Sequence, residues 1–142
     1  MARPLLIVDT NVLVSGLLTS ESDSPPAEIV DRILNGQLWF VLSVELLTEY
    51  RDVLLRPRIA ARHGLTTDEI DRILFELTRN AVVREIDPSR HDSPDPGDAH
   101  LWGLMEAEPS AILVTGDKAL LANPPSGRSV VSPALALKIA SE

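Results

Sequence analysis

The chain has no cysteine, which excludes disulfides, thiolate zinc centres and cysteine nucleophiles together. Any metal ion must therefore be held by oxygen or histidine. Histidine is scarce too, and His63, His91 and His100 are too dispersed to form an evident ligand set. No stretch approaches the roughly 18 apolar residues needed to span a bilayer, and the first residues carry charge but no signal-type apolar segment. The expectation is a cytoplasmic protein without membrane contact. Aromatic residues make up only 4% of the chain, and Trp39 and Trp102 are expected in the core rather than as base-stacking platforms. Basic residues are outnumbered, 13 against 21 acids, for a net charge of -8. That excess of acid speaks against broad, non-specific nucleic-acid binding but leaves room for a local basic patch.

What remains is ordinary for a globular fold. With 142 residues, 44% of them hydrophobic and 24% charged, the chain is expected to form a single domain over residues 1–142. Of the 13 basic residues 11 are arginine, and Arg51, Arg56, Arg58 and Arg62 are close in sequence. Arginine suits phosphate geometry, although a solvated helix face with ion pairs accounts for the same residues.

Apolar runs alternate with helical periods along the chain. Leu5 to Val8 reads as a buried strand, followed by a helix over Val12 to Leu18. A second helix is capped by Ser24, starts at Pro25 and ends at Asn35-Gly36. Leu38 to Leu42 is a second strand, and Ser43 opens a helix with Val44, Leu46, Leu47, Tyr50, Val53 and Leu54 apolar. Its polar stripe of Glu45, Glu49, Asp52 and Arg56 projects away from the core. Thr66 and Glu69 have capping-box spacing before Ile70, Ile73, Leu74 and Leu77. Ala81 to Ile86 is a strand, Asp87 to Pro96 a loop, and Gly97 to Glu108 a helix with Leu101, Trp102 and Met105 inward. Ala111 to Val114 is a strand, followed by a helical turn through Leu121, a strand near Val130 and a last helix from Pro133. Strictly alternating strands and helices predict an α/β fold with a parallel sheet between two helical layers.

Two of the strands end in an acid within a small polar cluster, Val8-Asp9-Thr10-Asn11 and Val114-Thr115-Gly116-Asp117. In a parallel sheet both acids lie along one edge. Asp98, in Asp95-Pro96-Gly97-Asp98, opens a helix that faces the same edge, and Glu49 joins them if its polar stripe turns that way. Crowded carboxylates repel one another, and a divalent cation relieves the conflict. All-oxygen ligands select hard ions such as Mg²⁺ or Mn²⁺, whose chemistry with phosphates is hydrolysis of a phosphodiester. Each acid also has a structural reading: Asp95 and Asp117 as helix caps, Asp98 in a first turn, Glu49 as a solvated residue.

These residues, Val8-Asp9-Thr10-Asn11-Val12-Leu13, Glu49-Tyr50 with Val53-Leu54, Asp95-Pro96-Gly97-Asp98 and Val114-Thr115-Gly116-Asp117-Lys118, together resemble a PIN domain. The resemblance runs from residue 5 to about residue 135 and is closest to the bacterial and archaeal PIN proteins of toxin-antitoxin systems, the VapC-like ribonucleases. It implies a three-layer, Rossmann-like α/β/α fold and a metal-dependent endoribonuclease. By position Asp9, Glu49, Asp98 and Asp117 match the four acids that hold one or two Mg²⁺ or Mn²⁺ ions, and Asn11 and Thr115 match accessory polar positions, with Asp95 a further accessory acid. Arg51, Arg56 and Lys118 are expected to contact the RNA substrate. The resemblance also implies an antitoxin protein as partner and a homodimer. Glu45, one helical turn before Glu49, competes with it as the helix-borne ligand.

Two other functions fit parts of the sequence. Asp9 at a strand end suits the nucleophile of a haloacid-dehalogenase-like phosphotransferase, although Asn11 stands where that family needs a second acid. A catalytically weak PIN domain that binds a metal ion or a protein is the third reading. His100 is expected in a partly exposed structural role, pointing away from Asp98.

Overall fold

Four of the five strands are followed within three residues by a side chain that caps the next helix, so the polar caps gather on one edge of the sheet. A computed structural model describes residues 4–19, 23–86 and 99–141. Strand β1 (Leu5–Val8) leads through Asp9 into α1 (Thr10–Leu18), and the Asp9 side chain accepts a hydrogen bond from Thr10 N. Ser24 caps α2 (Pro25–Leu34), whose first residue is a proline with no amide hydrogen to leave unpaired. Strand β2 (Trp39–Leu42) is followed by Ser43, the cap of α3 (Val44–Leu54). Helix α4 (Pro57–His63) comes next, then α5 (Thr67–Arg79) with the expected Thr66/Glu69 capping box, and β3 (Ala81–Val83). The remaining elements are α6 (Ala99–Ala107), β4 (Ile112–Val114), α7 (Lys118–Ala122) capped by Asp117, β5 (Ser129–Val131) and α8 (Pro133–Ala140) capped by Ser132.

The strands are parallel throughout and lie in the order β3-β2-β1-β4-β5. The chain therefore moves outward from β1 through β2 to β3, then returns to the other side of β1 and moves outward again. At such a reversal the connections after the two inner strands leave in opposite directions and open a crevice beyond their carboxyl ends. Here the crevice lies past β1 and β4, the two strands that end in Asp9 and in Thr115-Gly116-Asp117. The eight helices among the described residues flank the sheet in a three-layer α/β/α arrangement, as the alternating pattern predicts.

Burial follows from this layering. Leu6, Ile7 and Val8 of the central strand are shielded on both faces, as are Phe40, Val41, Leu42, Leu113 and Val114. Tyr50 of α3 is fully buried, and its hydroxyl donates to the carbonyl oxygen of Val8. This bond ties the helix that carries Glu49 to the end of the strand that delivers Asp9. Helix α1 packs closely on α2 through Gly16, where a Cβ would lie 2.6 Å from Pro26 O and 2.7 Å from Val30 Cγ2.

The structure departs from the sequence reading at several places. Helix α4 was not anticipated, although Pro57 at its first position and Gly64, with φ of 67° just after it, are standard start and stop signals. Strand β3 ends at Val83 rather than Ile86, and α1 begins at Thr10, two residues before Val12, because Asp9 itself is the cap. Trp39 is 50% exposed rather than in the core: it pairs with Leu5 at the amino-terminal end of the sheet, away from the buried middle of β2. Val44, in the first turn of α3, is likewise exposed. The expected loop from Asp87 to Pro96 and the helix start at Gly97 lie outside the described residues.

Gly16→Ala should cost about 1–3 kcal/mol, because the added methyl meets backbone rather than a flexible side-chain end. A chemical denaturation curve with an unchanged slope and a lower midpoint is the expected outcome; wild-type stability would mean that α1 and α2 are free to move apart.

Candidate functional site

The buried polar residues among those described are Asp9, Thr10, Ser43 and Thr115, and all four stand just past the carboxyl ends of the adjacent strands β1, β2 and β4. A buried polar group is costly unless hydrogen-bonded, so this edge is where the fold invests its polar contacts. Asp9 is only 7% exposed. Its Oδ1 accepts from Thr10 N at 2.8 Å, and its Oδ2 accepts from Thr115 Oγ1 at 2.7 Å and from Asn11 Nδ2 at 3.2 Å. The Asp9 amide donates to Val114 O at 2.9 Å, which continues the β1–β4 ladder one residue beyond the strands.

Thr115 and Asn11 join the two strand ends. Thr115 Oγ1 accepts from Asp117 N at 3.0 Å while donating to Asp9, and Asn11 Oδ1 accepts from Gly116 N at 3.1 Å. Asp117 Oδ1 accepts from Ala119 N and Leu120 N at the start of α7. The structural reading of Asp117 as a cap is thus correct, and it does not remove the residue from the site. Glu49 reaches the same region from α3. Thr10 Oγ1 donates to Glu49 Oε2, and His100 Nε2 lies 3.6 Å from that oxygen, an ion-pair distance rather than a hydrogen bond.

The electrostatics follow from burial and from like charges. Burial pushes the Asp9 carboxyl above its ordinary value, the bonds from Thr115 and Thr10 N pull it down, and the charges of Glu49 and Asp117 raise it further. Glu49 is held below its ordinary value, chiefly by His100 and then by the Thr10 hydroxyl and the Arg56 charge, against the opposing effect of partial burial. Burial also pushes the Tyr50 phenol well up, so it stays a neutral donor.

Asp9, Glu49 and Asp117 open together into a cavity of about 460 Å³, whose wall also includes Thr10, Asn11, Arg56 and Arg62. Among the described residues, no group of three or more His, Asp or Glu side chains is close enough to enclose a metal ion. The carboxylates form an open rim rather than a cage. Such a rim of oxygen donors fits a hard cation that keeps several of its waters, and a cation would offset both the burial that chiefly lifts Asp9 and the smaller repulsion from Glu49 and Asp117.

Several expectations change at this point. Asp98 and Asp95 lie outside the described residues. Glu45 is exposed and borders a different cavity with Val83 and Arg84, so Glu49 is the α3 acid that faces Asp9. Glu49 does not simply project into solvent, because Tyr50 beside it is pulled under the sheet edge. Arg51 is not at the cavity: it pairs with Asp71 at 2.8 Å and borders a separate groove on α3 and α5. Arg56 does line the cavity, whereas Lys118 is an exposed residue at the start of α7. His100 is partly buried and faces Glu49, and its expected direction relative to Asp98 falls on a residue outside the described ones. The sequence assigns no site role to Thr10 and names Arg62 only as a member of the arginine cluster around Arg56. The alcohol following Asp9 was a visible signal for the first, and the unrecognised helix α4 concealed the second.

A family model described as PIN domain matches residues 6–119. No curated protein gives a match to the chain.

Thr115→Val keeps the shape but removes the hydroxyl that donates to Asp9 and accepts from Asp117 N. The expected outcome is an upward move of the Asp9 titration in carboxyl-carbon NMR and a stability loss of about 1.5–3 kcal/mol, the scale of a hydrogen bond to a charged group. An unmoved titration would sink the assignment. In the metal-free protein the raised Asp9 contributes stability that is present below its ordinary value and lost as pH rises through its elevated one. Glu49 has the opposite sign: its contribution is present above its ordinary value and lost as pH falls through its depressed one. Unfolding midpoints of the Thr115→Val and Glu49→Gln variants, each compared with wild type across the acid range, read these two terms separately.

Proposed function

The chain belongs to the PIN domain family, a family of nuclease fold, and from that premise we propose that it is a divalent-metal-dependent endoribonuclease that hydrolyses RNA phosphodiester bonds. The observation that carries this reading is the convergence of Asp9, Glu49 and Asp117, from three distant segments, on one open cavity at the sheet's reversal point. Asp9, Glu49 and Asp117, with Asp98 added from its motif, would hold Mg²⁺ or Mn²⁺. When bound, the ion supplies a water activated for attack at phosphorus and offsets charge on the departing oxygen.

The protein's own groups supply the rest. Asn11 and Thr115 hold the Asp9 carboxylate in one orientation, and Thr10 does the same for Glu49. Arg56 stands on the cavity wall, where a guanidinium can take an RNA phosphate. A phosphotransferase that uses Asp9 as nucleophile would need an acid at residue 11 to protonate the leaving group. Asn11 is an amide that donates to Asp9 instead, which favours hydrolysis by water. The motif resemblance extends the proposal to the toxin component of a toxin-antitoxin system, a cytoplasmic homodimer held in check by an antitoxin protein. No helix among the described residues is long and apolar enough to cross a membrane.

Asp9→Asn should reduce RNA cleavage by at least about 100-fold in Mg²⁺ or Mn²⁺ while the protein remains folded, since asparagine is also a good helix cap. Wild type should lose activity in EDTA and recover it with added cation. A purified Asp9→Asn protein that cut RNA at the wild-type rate would overturn the mechanism. A Mn²⁺-induced rise in unfolding temperature, present in wild type and absent in Asp9→Asn, is the parallel outcome expected without any substrate.

A further inference from the structure

Helix α6 turns two faces to two different places. Successive residues of an α-helix rotate by about 100°, so Trp102 stands roughly opposite His100, the residue that faces Glu49, while Glu106 shares the Trp102 face one turn on. That second face and the turn before β5 wall a pocket of about 160 Å³, lined by Trp102, Met105, Glu106, Pro125, Ser126 and Arg128. None of these residues lines the acid-rimmed cavity. Trp102 is therefore not wholly in the core: it packs on the core cluster and leaves part of its surface to the pocket. The opposite wall is preorganised. Arg128 N donates to Pro125 O at 3.1 Å and Gly127 has φ of 74°, the marks of a β-turn that needs glycine at its third position, and Arg128 leads directly into β5. Of the described arginines only Arg32 and Arg128 are partly buried rather than exposed, and Arg32 is paired with Glu28 at 2.6 Å. The Arg128 guanidinium has no ion pair among the described residues. A cation partly withdrawn from water beside an indole still lacks its anion.

We propose that this pocket is a guanine-nucleotide site, separate from the acid-rimmed cavity: the base stacks on the Trp102 indole, Arg128 takes the phosphate, and the Glu106 carboxylate accepts from the N–H groups at the base edge. An indole supplies a stacking surface for any base, and a guanidinium matches a phosphate, so these two residues define the class of ligand. Glu106 narrows it, because guanine is the base that presents two N–H donors side by side to one carboxylate. Size agrees with a single ring system. Drug-sized ligands occupy roughly 300–1,000 Å³, and a pocket of about 160 Å³ holds the base while ribose and phosphate stay at the mouth with Arg128. The negative charge of Glu106 keeps the phosphate at the arginine end. A free mononucleotide and the end of an RNA strand carry the same chemistry. The inference stands apart from the nuclease reading, since it uses none of the residues around Asp9.

The test is the intrinsic fluorescence of the full chain, in EDTA so that no cleavage intervenes. Trp39 and Trp102 are its two tryptophans, and Trp39 is exposed, so in Trp39→Phe the emission reports Trp102 alone. With excitation at the red edge of the indole band, guanosine monophosphate should quench this emission saturably. Guanosine without its phosphate should bind about ten-fold more weakly, and Arg128→Gln should weaken the nucleotide by a similar factor, the scale of one charge-assisted hydrogen bond. Arg128→Lys, which keeps the charge, should lose less, and this separates loss of the contact from loss of the fold. Glu106→Ala should bring guanosine and adenosine monophosphates to equal affinity. Asp9→Asn, which ends cleavage on the nuclease reading, should leave this binding intact. An RNA octamer ending in guanosine that saturates at lower concentration than the mononucleotide assigns the site to a strand end, and the reverse assigns it to the free nucleotide. Absence of saturable quenching by either ligand, equal quenching in Arg128→Gln, or no base preference for Glu106→Ala to remove overturns the proposal, whether or not the protein cuts RNA.

Discussion

A carboxylate placed at the end of the central strand, almost out of reach of water, is the constraint around which the rest of the site is arranged. Asp9 must follow Val8 because β1 ends there, and it is buried because α1 and β4 close over it. Its charge is tolerable only while both oxygens are engaged, so Thr10 N, Thr115 Oγ1 and Asn11 Nδ2 are all committed to it. Those same groups then define where Asp117 and Glu49 stand, through Thr115 and the Thr10 hydroxyl.

The cost is not fully cancelled. Burial and two like charges leave Asp9 with a higher proton affinity than an aspartate in water, while Glu49, next to His100 and Arg56, remains readily ionised. On the proposed metal-dependent reading, stability and function pull in opposite directions here: the metal-free fold would be eased by a neutral group at Asp9, and cation binding would need a charged one. The same opposition explains why the site lies at the sheet's reversal point, where backbone ends diverge and leave space for solvent and ligand, rather than among the continuous apolar runs of the core.

Legibility varied with the range of the interaction. Caps and strand ends are local, and Ser24, Ser43, Thr66 and the two acid clusters after β1 and β4 all announce themselves within a few residues. Helix rotation is not local: Glu45 and Glu49 are both polar residues of one stripe, and only the packing of Tyr50 beneath Val8 turns Glu49 toward Asp9. Proximity of arginines in sequence was a poor guide for the same reason. Arg51 points to Asp71 on α5 and Arg56 to the cavity, although they are neighbours on the chain.

By itself, then, the sequence determined the alternation of strands and helices, the parallel sheet, and the two strand-end acids, because hydrophobic period and capping chemistry act over single elements. The tertiary structure decided which helix-borne acid faces Asp9, that His100 attends Glu49, and that Arg56 and Arg62 rather than Arg51 border the cavity. Those outcomes depend on how α3, α4 and α6 rotate and pack against the sheet, and no residue's own neighbours in the chain carry that information.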